Sequence, residues 1–270
     1  MLAIIVLVIY LSACLWFFAS ALRGISESDA HVKHMAGLMM GALGWLIHGY
    51  SLCRALFRGP ALALNSTDVA SLIGWITAAI TLARVWSRPR FAGMAALALL
   101  CVGIAAALTD DGARTFYTSQ SGWELTAHIL VAAVAYSLVA VGACLALALY
   151  ALDRRLHSHQ PLGWMKTLPS IEGLDTGMFQ AISSGFALLT LTLFSGFVFV
   201  QDLVAQHLIH KVALSCLAWL ILGILLWGRW QLGWRGRAAA RWVLSGFTLL
   251  GLAYFGSKFV LEVLLGRHWG

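Results

Sequence analysis

Charge is scarce in this chain: of 270 residues only 11% are Asp, Glu, Lys or Arg, while 61% are hydrophobic. Soluble domains carry about a quarter charged residues, so a water-soluble globular enzyme is excluded. Also missing is any long polar stretch. The longest connection between apolar runs is Leu152 to Asp175, which leaves no room for a soluble domain, and any chemistry falls within helices or just outside them. The five cysteines, Cys14, Cys53, Cys101, Cys144 and Cys216, stand singly. No Cys-x-x-Cys occurs, which argues against thiol exchange, and no Cys-x-x-Cys-His, so the chain is not itself a c-type cytochrome. No Lys or Arg precedes Arg23. A secretory signal starts with basic residues, so the first apolar run is read as a retained helix despite its Phe18-Ala-Ser-Ala21 ending and its Leu11-Ser-Ala-Cys14 box. There is no convincing internal repeat.

What is present is a series of apolar runs, each long enough to cross a bilayer, for which about twenty residues suffice. Eight are expected, at 1–22, 34–55, 68–86, 91–109, 123–151, 176–204, 208–228 and 240–266, forming a single polytopic all-α membrane domain over residues 1–270. The formal charge of +7 is not a nucleic-acid footprint, because the cations sit at alternate helix ends. Arg23 and Lys33, then Arg84, Arg88 and Arg90, then Arg154, Arg155 and Lys166, then Arg229, Arg235, Arg237 and Arg241 fall in the first, third, fifth and seventh connections. The excess of positive charge faces the cytoplasm, which predicts both termini on the outer, periplasmic side.

That orientation sorts the nine histidines. His31, His34, His157 and His159 fall to cytoplasmic connections, where a solvated role is expected. His48, His128, His207, His210 and His268 fall in the outer half. The most informative of them opens the fifth run as Trp123-Glu-Leu-Thr-Ala-His128, with Trp123 and His128 about 7.5 Å apart along the axis at 1.5 Å per residue. An ionisable group at that depth is expensive and marks a functional site with a partner. A helix-helix hydrogen bond remains the alternative for His128, and equally for His48.

Neutral imidazole binds Zn, Cu, Ni and haem iron alike. A macrocycle asks for axial imidazoles, aromatic walls and cations for its propionates. The outer half offers Trp123, Phe116, Tyr117 and Trp269 as walls, and Lys211, Lys258 and Arg267 as cations. Haem is therefore the first choice, with another metal or no cofactor as alternatives.

From about Gly122 onward the order of features resembles the membrane cytochrome c assembly proteins of the CcsA and CcmC type, particularly the subgroup known as YpjD and HemX. The landmarks are Trp123-Glu-Leu-Thr-Ala-His128 with Ala135-Tyr136, Ser184 to Gly196, Leu217-Ala-Trp-Leu, Gly233-Trp-Arg-Gly236 and Gly251-Leu-Ala-Tyr-Phe-Gly256. The resemblance implies binding of haem b at the outer face by a multi-pass protein of the bacterial inner membrane, with His128 and His268 as axial ligands. It further implies a function in cytochrome assembly or haem delivery, by a binding and transfer protein that is not an enzyme. The tryptophan-rich loop of haem-presenting members is replaced by Gln201 to Lys211, where His210 could substitute as a ligand, and their inner-end histidine is replaced by Trp227. Expected partners are the lipid bilayer, haem, and other cytochrome assembly proteins or a haem-synthesis enzyme. A HemX-like regulator of haem synthesis and a b-type electron carrier are the competing functions.

Overall fold

The computed structural model of the chain describes residues 2–22, 27–56, 66–107, 123–159, 165, 168–199 and 209–256. Among them the secondary structure is entirely helical: α1 (Leu2–Leu22), α2 (Glu27–Leu56), α3 (Ser66–Ser87), α4 (Ala92–Ala107), α5 (Trp123–His157), α6 (Ile171–Phe199), α7 (Ile209–Leu232) and α8 (Gly236–Gly251), the last continuing as a wider π turn over Leu252–Gly256. Six stretches among the described residues are long and apolar enough to cross a membrane: Leu2–Ser20, Met35–Leu56, Asp68–Ser87, Trp123–His157, Ile171–Val198 and Lys211–Leu232. A shorter apolar helix covers Ala92–Gly103.

Several helix ends differ from those expected. Helix α2 starts at Glu27, so His31 and His34 lie on its backbone and not in a loop. Helix α5 runs past its apolar stretch to His157, and α6 begins at Ile171, which shortens the long fifth connection. The extension of α5 is polar but locally supported, since His157 Nδ1–H donates to the Asp153 carbonyl one turn back at 2.9 Å. It ends where His159 adopts a left-handed φ of 54°.

The described chain divides into two compact units, Met1–Ser119 with Ala151–Leu174, and Gln120–Tyr150 with Asp175–Gly270. In the first unit α1 and α3 each pack on both α2 and α4. The core is a stripe on α1, Val6, Tyr10, Ala13 and Phe17, all fully buried. Their spacing of three and four residues keeps them on one helix face. Small residues on α2 receive these side chains: a methyl at Gly37 would stand 2.6 Å from the Phe17 ring, and one at Gly44 3.1 Å from Ile9.

Gly49 faces a ring that is fixed on two sides. A methyl there would lie 2.8 Å from Trp75 Nε1. That indole stacks on Trp45 at 4.7 Å between centroids and donates to the Trp45 carbonyl at 2.9 Å. Gly49→Ala therefore displaces a stacked, hydrogen-bonded ring, and overpacking of this kind destabilises by about 1–3 kcal/mol. The expected result is a lower midpoint for denaturant unfolding of the purified protein; an unchanged midpoint would show that Trp75 yields freely.

Candidate functional site

The two described membrane histidines occupy different units and different environments. His48, on α2 in the first unit, is 1% exposed. The Tyr10 hydroxyl lies 3.4 Å from its Nδ1, and its Nε2 lies 2.8 Å from Ser71 Oγ. With the tyrosine donating to Nδ1, Nε2–H donates to the serine, and both ring nitrogens are engaged. This is the interhelical hydrogen bonding that the sequence leaves open for His48, and it ties α1, α2 and α3 together.

His128, on α5 in the second unit, is built differently. Helices α5 and α6 run antiparallel in a register visible in three places. A methyl on Gly142 would meet Ile182 at 2.5 Å, one on Gly185 would meet Val139 at 3.0 Å, and one on Gly196 would approach His128 Cε1 at 3.4 Å. As the α5 number falls the α6 number rises in step. Between the last two pairs lie eleven residues on each helix, close to three turns, so all the contacts share one face.

This register places Ser195 Oγ 2.8 Å from His128 Nδ1. The same hydroxyl donates to the Thr192 carbonyl at 3.0 Å. A serine has one hydrogen to give. With it directed at Thr192, Ser195 accepts from Nδ1–H, and in that arrangement the proton of the neutral ring sits on Nδ1. Nε2 is then the nitrogen with the lone pair, and it has no hydrogen-bond partner among the described residues. A ring held through one nitrogen by a hydrogen-bond acceptor, with the other free, is how proteins orient histidine ligands to iron and other metals. His128 therefore fits a haem iron through Nε2, and His48, with both nitrogens used, fits less well.

The other residues singled out from sequence are placed as follows. Trp123 begins α5 and is 77% exposed. Lys211 is half-buried in the first turn of α7, next to His210, which is described as backbone only. His268, Lys258 and Arg267 lie outside the described residues, as do His207 and Trp269. No cluster of three or more His, Cys, Asp or Glu that could hold a metal ion occurs among the described residues.

At the other end of the second unit the structure reveals a junction not anticipated from sequence. Asp175, near the start of α6 and only 6% exposed, pairs with Arg229 at the end of α7, with Nη2 and Oδ2 3.0 Å apart. The second carboxylate oxygen accepts the Gly236 N–H, also at 3.0 Å, at the start of α8. One side chain thus holds three helix ends, and a carboxylate at the N-terminus of α8 also suits the helix dipole. Arg229 donates through Nη1 to the Trp234 carbonyl at 3.0 Å and lies 4.3 Å from the centroid of the Phe179 ring. The turn between α7 and α8 is possible because Gly233 and Gly236 take φ values of 67° and 63°, open to glycine without strain.

A family model described as Cytochrome C assembly protein matches residues 38–265. The chain belongs to the cytochrome c assembly protein family. Among its relatives, the inner membrane protein YpjD of Escherichia coli (strain K12) is 32% identical over 172 residues, 62% of this chain and 65% of that protein. An uncharacterized 28.8 kDa protein of Azospirillum brasilense is 32% identical over 171 residues, 62% of this chain and 63% of its own. The cytochrome c biogenesis protein CcsA of Synechococcus sp. (strain CC9902) is 27% identical over 201 residues, 64% of this chain and 66% of that one. The chain thus spans about two thirds of the length of the curated relatives it matches. No solved structure matches it. The landmarks from Trp123 to Gly256 therefore mark a cytochrome c assembly protein of the YpjD-like kind, and the family match begins at residue 38, within α2, earlier than the sequence landmarks do.

Proposed function

We propose that this cytochrome c assembly protein binds haem b at the outer face of the bacterial inner membrane and acts in cytochrome assembly or haem delivery, as a carrier and not a catalyst. The observation that carries this reading is the Thr192–Ser195–His128 chain, which leaves His128 Nε2 with a lone pair and no hydrogen-bond partner among the described residues. His128 is one axial ligand, and His268 is the other, with His210 as the alternative. Trp123 forms part of the wall, and Lys211, Lys258 and Arg267 meet the propionates. When bound, haem supplies an iron that takes imidazole nitrogen as axial ligand. Six long apolar helices together with α4 and α8 complete eight crossings, with both termini outside. The partners are the bilayer, haem itself, and other assembly proteins.

Ser195 provides the test specific to this arrangement. Loss of an outer-shell partner lowers metal affinity by roughly 10–100-fold. Ser195→Ala is therefore expected to weaken haem binding by about that factor, measured by haemin titration of the purified protein, while Ser195→Thr keeps the hydroxyl and restores it. Equal affinity in the alanine variant would remove the serine from the site.

A further inference from the structure

We propose that the groove on the first half of α6 is a binding site for the head of an isoprenoid quinone, a ligand distinct from haem. The groove measures about 410 Å³ and is lined by Thr176, Phe179, Gln180, Ser183, Ser184 and Arg229, within the volume range of small-molecule sites. The sequence suggests that Ser183 and Ser184 belong to a close-packing face. In the structure both are exposed, and the packing is done by Gly185.

Apart from Arg229, the polar side chains of this groove are unused. Other hydroxyls on the helices of this unit donate to carbonyls of their own helix, among them Ser137, Thr190, Thr192, Ser245 and Thr248. Thr176, Gln180, Ser183 and Ser184 have no hydrogen-bond partner among the described residues. Yet they lie on Ile171–Val198, a stretch apolar and long enough to cross a membrane. Ser184 is thirteen residues into that stretch, about 20 Å along the axis. Polar groups at such depth need a partner that hydrocarbon cannot supply.

Charge and donor count select the ligand. Arg229 is paired with Asp175 at 3.0 Å, so the cation is neutralised, and an anionic head would meet the carboxylate as well as the guanidinium. A neutral head fits better. Arg229 spends N–H groups on Asp175 and on the Trp234 carbonyl, and guanidinium carries five. Those remaining, with the Gln180 amide and the three hydroxyls, make the groove rich in donors. Quinone carbonyls are acceptors only. Past Ser184 the exposed face of α6 turns apolar through Leu191, Phe194, Phe197 and Val198, which are 55–69% exposed. That strip receives the isoprenoid chain. The proposal concerns binding, with no electron transfer attached.

The experiment is titration of the full-length protein in neutral detergent with a short-chain ubiquinone, read by equilibrium gel filtration. Saturable binding is expected, weakened about tenfold or more in Gln180→Leu combined with Ser184→Ala, since each lost hydrogen bond is worth up to about a factor of ten. Ser183→Ala is expected to weaken it to a smaller extent, and His128→Ala to leave it unchanged, which separates this site from the haem reading. Circular dichroism matching the parent protein establishes that the variants are folded. Absence of saturable binding, or equal binding in the double variant, overturns the proposal. So does displacement of the quinone by phosphatidylglycerol at equal concentration, which would make this a lipid site, or loss of haem in place of quinone from the groove variants.

Discussion

In His128→Ala, bound haem is expected to fall by more than about a hundredfold while the protein still accumulates in the membrane. The factor exceeds the 10–100-fold attached to an outer-shell partner, because the substitution removes the ligand atom itself. Accumulation should survive because the ring is only half-buried, and among the described residues its side chain makes a single hydrogen bond, to Ser195. His157→Ala is the matched control. That imidazole is exposed, and its bonds go to Asp153 on its own helix, so haem content should match the parent protein. The measurement is the Soret absorbance per mole of purified protein. Equal haem in the two variants would overturn the assignment of His128.

Asp175→Ala is expected to destabilise the second unit by about 3–5 kcal/mol, the range for removing one partner of a buried ion pair. Two losses combine. Arg229, whose side chain is 26% exposed, is left with its charge uncompensated, and the Gly236 N–H loses its acceptor at the start of α8. The partial exposure of Arg229 lets water screen part of the charge, which favours the lower end of the range. Trp234 offers the readout. Its ring lies against Gly228, where a methyl would stand 2.6 Å away, and 5.4 Å from the Trp242 ring centroid, so loosening of the junction exposes it. The emission of tryptophan should shift to the red at lower denaturant than in the parent protein. If Asp175→Ala unfolds at the parent midpoint, the junction contributes little.

Much of this architecture was legible because lipid imposes a strong rule on composition: apolar runs announced α1 to α7 to within a few residues at most ends. The ends that moved did so where helical hydrogen bonding continues past the apolar stretch, as at Asp153 to His157 and from Glu27, and hydropathy carries no signal of that. His128 was legible because an imidazole inside an apolar run is conspicuous. Ser195 was not, since 67 residues separate it from His128 and only the helix register brings them together. The nearest signal in the sequence is the small pair Ser195-Gly196, where Gly196 lets His128 approach closely. Asp175 and Arg229 stand in different connections of the sequence, which alone does not show which ends of neighbouring helices meet.

The stepwise pairing of α5 with α6 also limits how related chains can change in length. One residue inserted between His128 and Val139 would turn the imidazole by about 100° about the helix axis and carry it 1.5 Å along, away from Ser195, although hydropathy would scarcely change. An insertion would preserve the arrangement only if it came as near-whole turns, matched between Gly185 and Ser195 on the opposing helix. Gaps in this interval are therefore a sharper mark of a lost His128–Ser195 pairing than most substitutions within it.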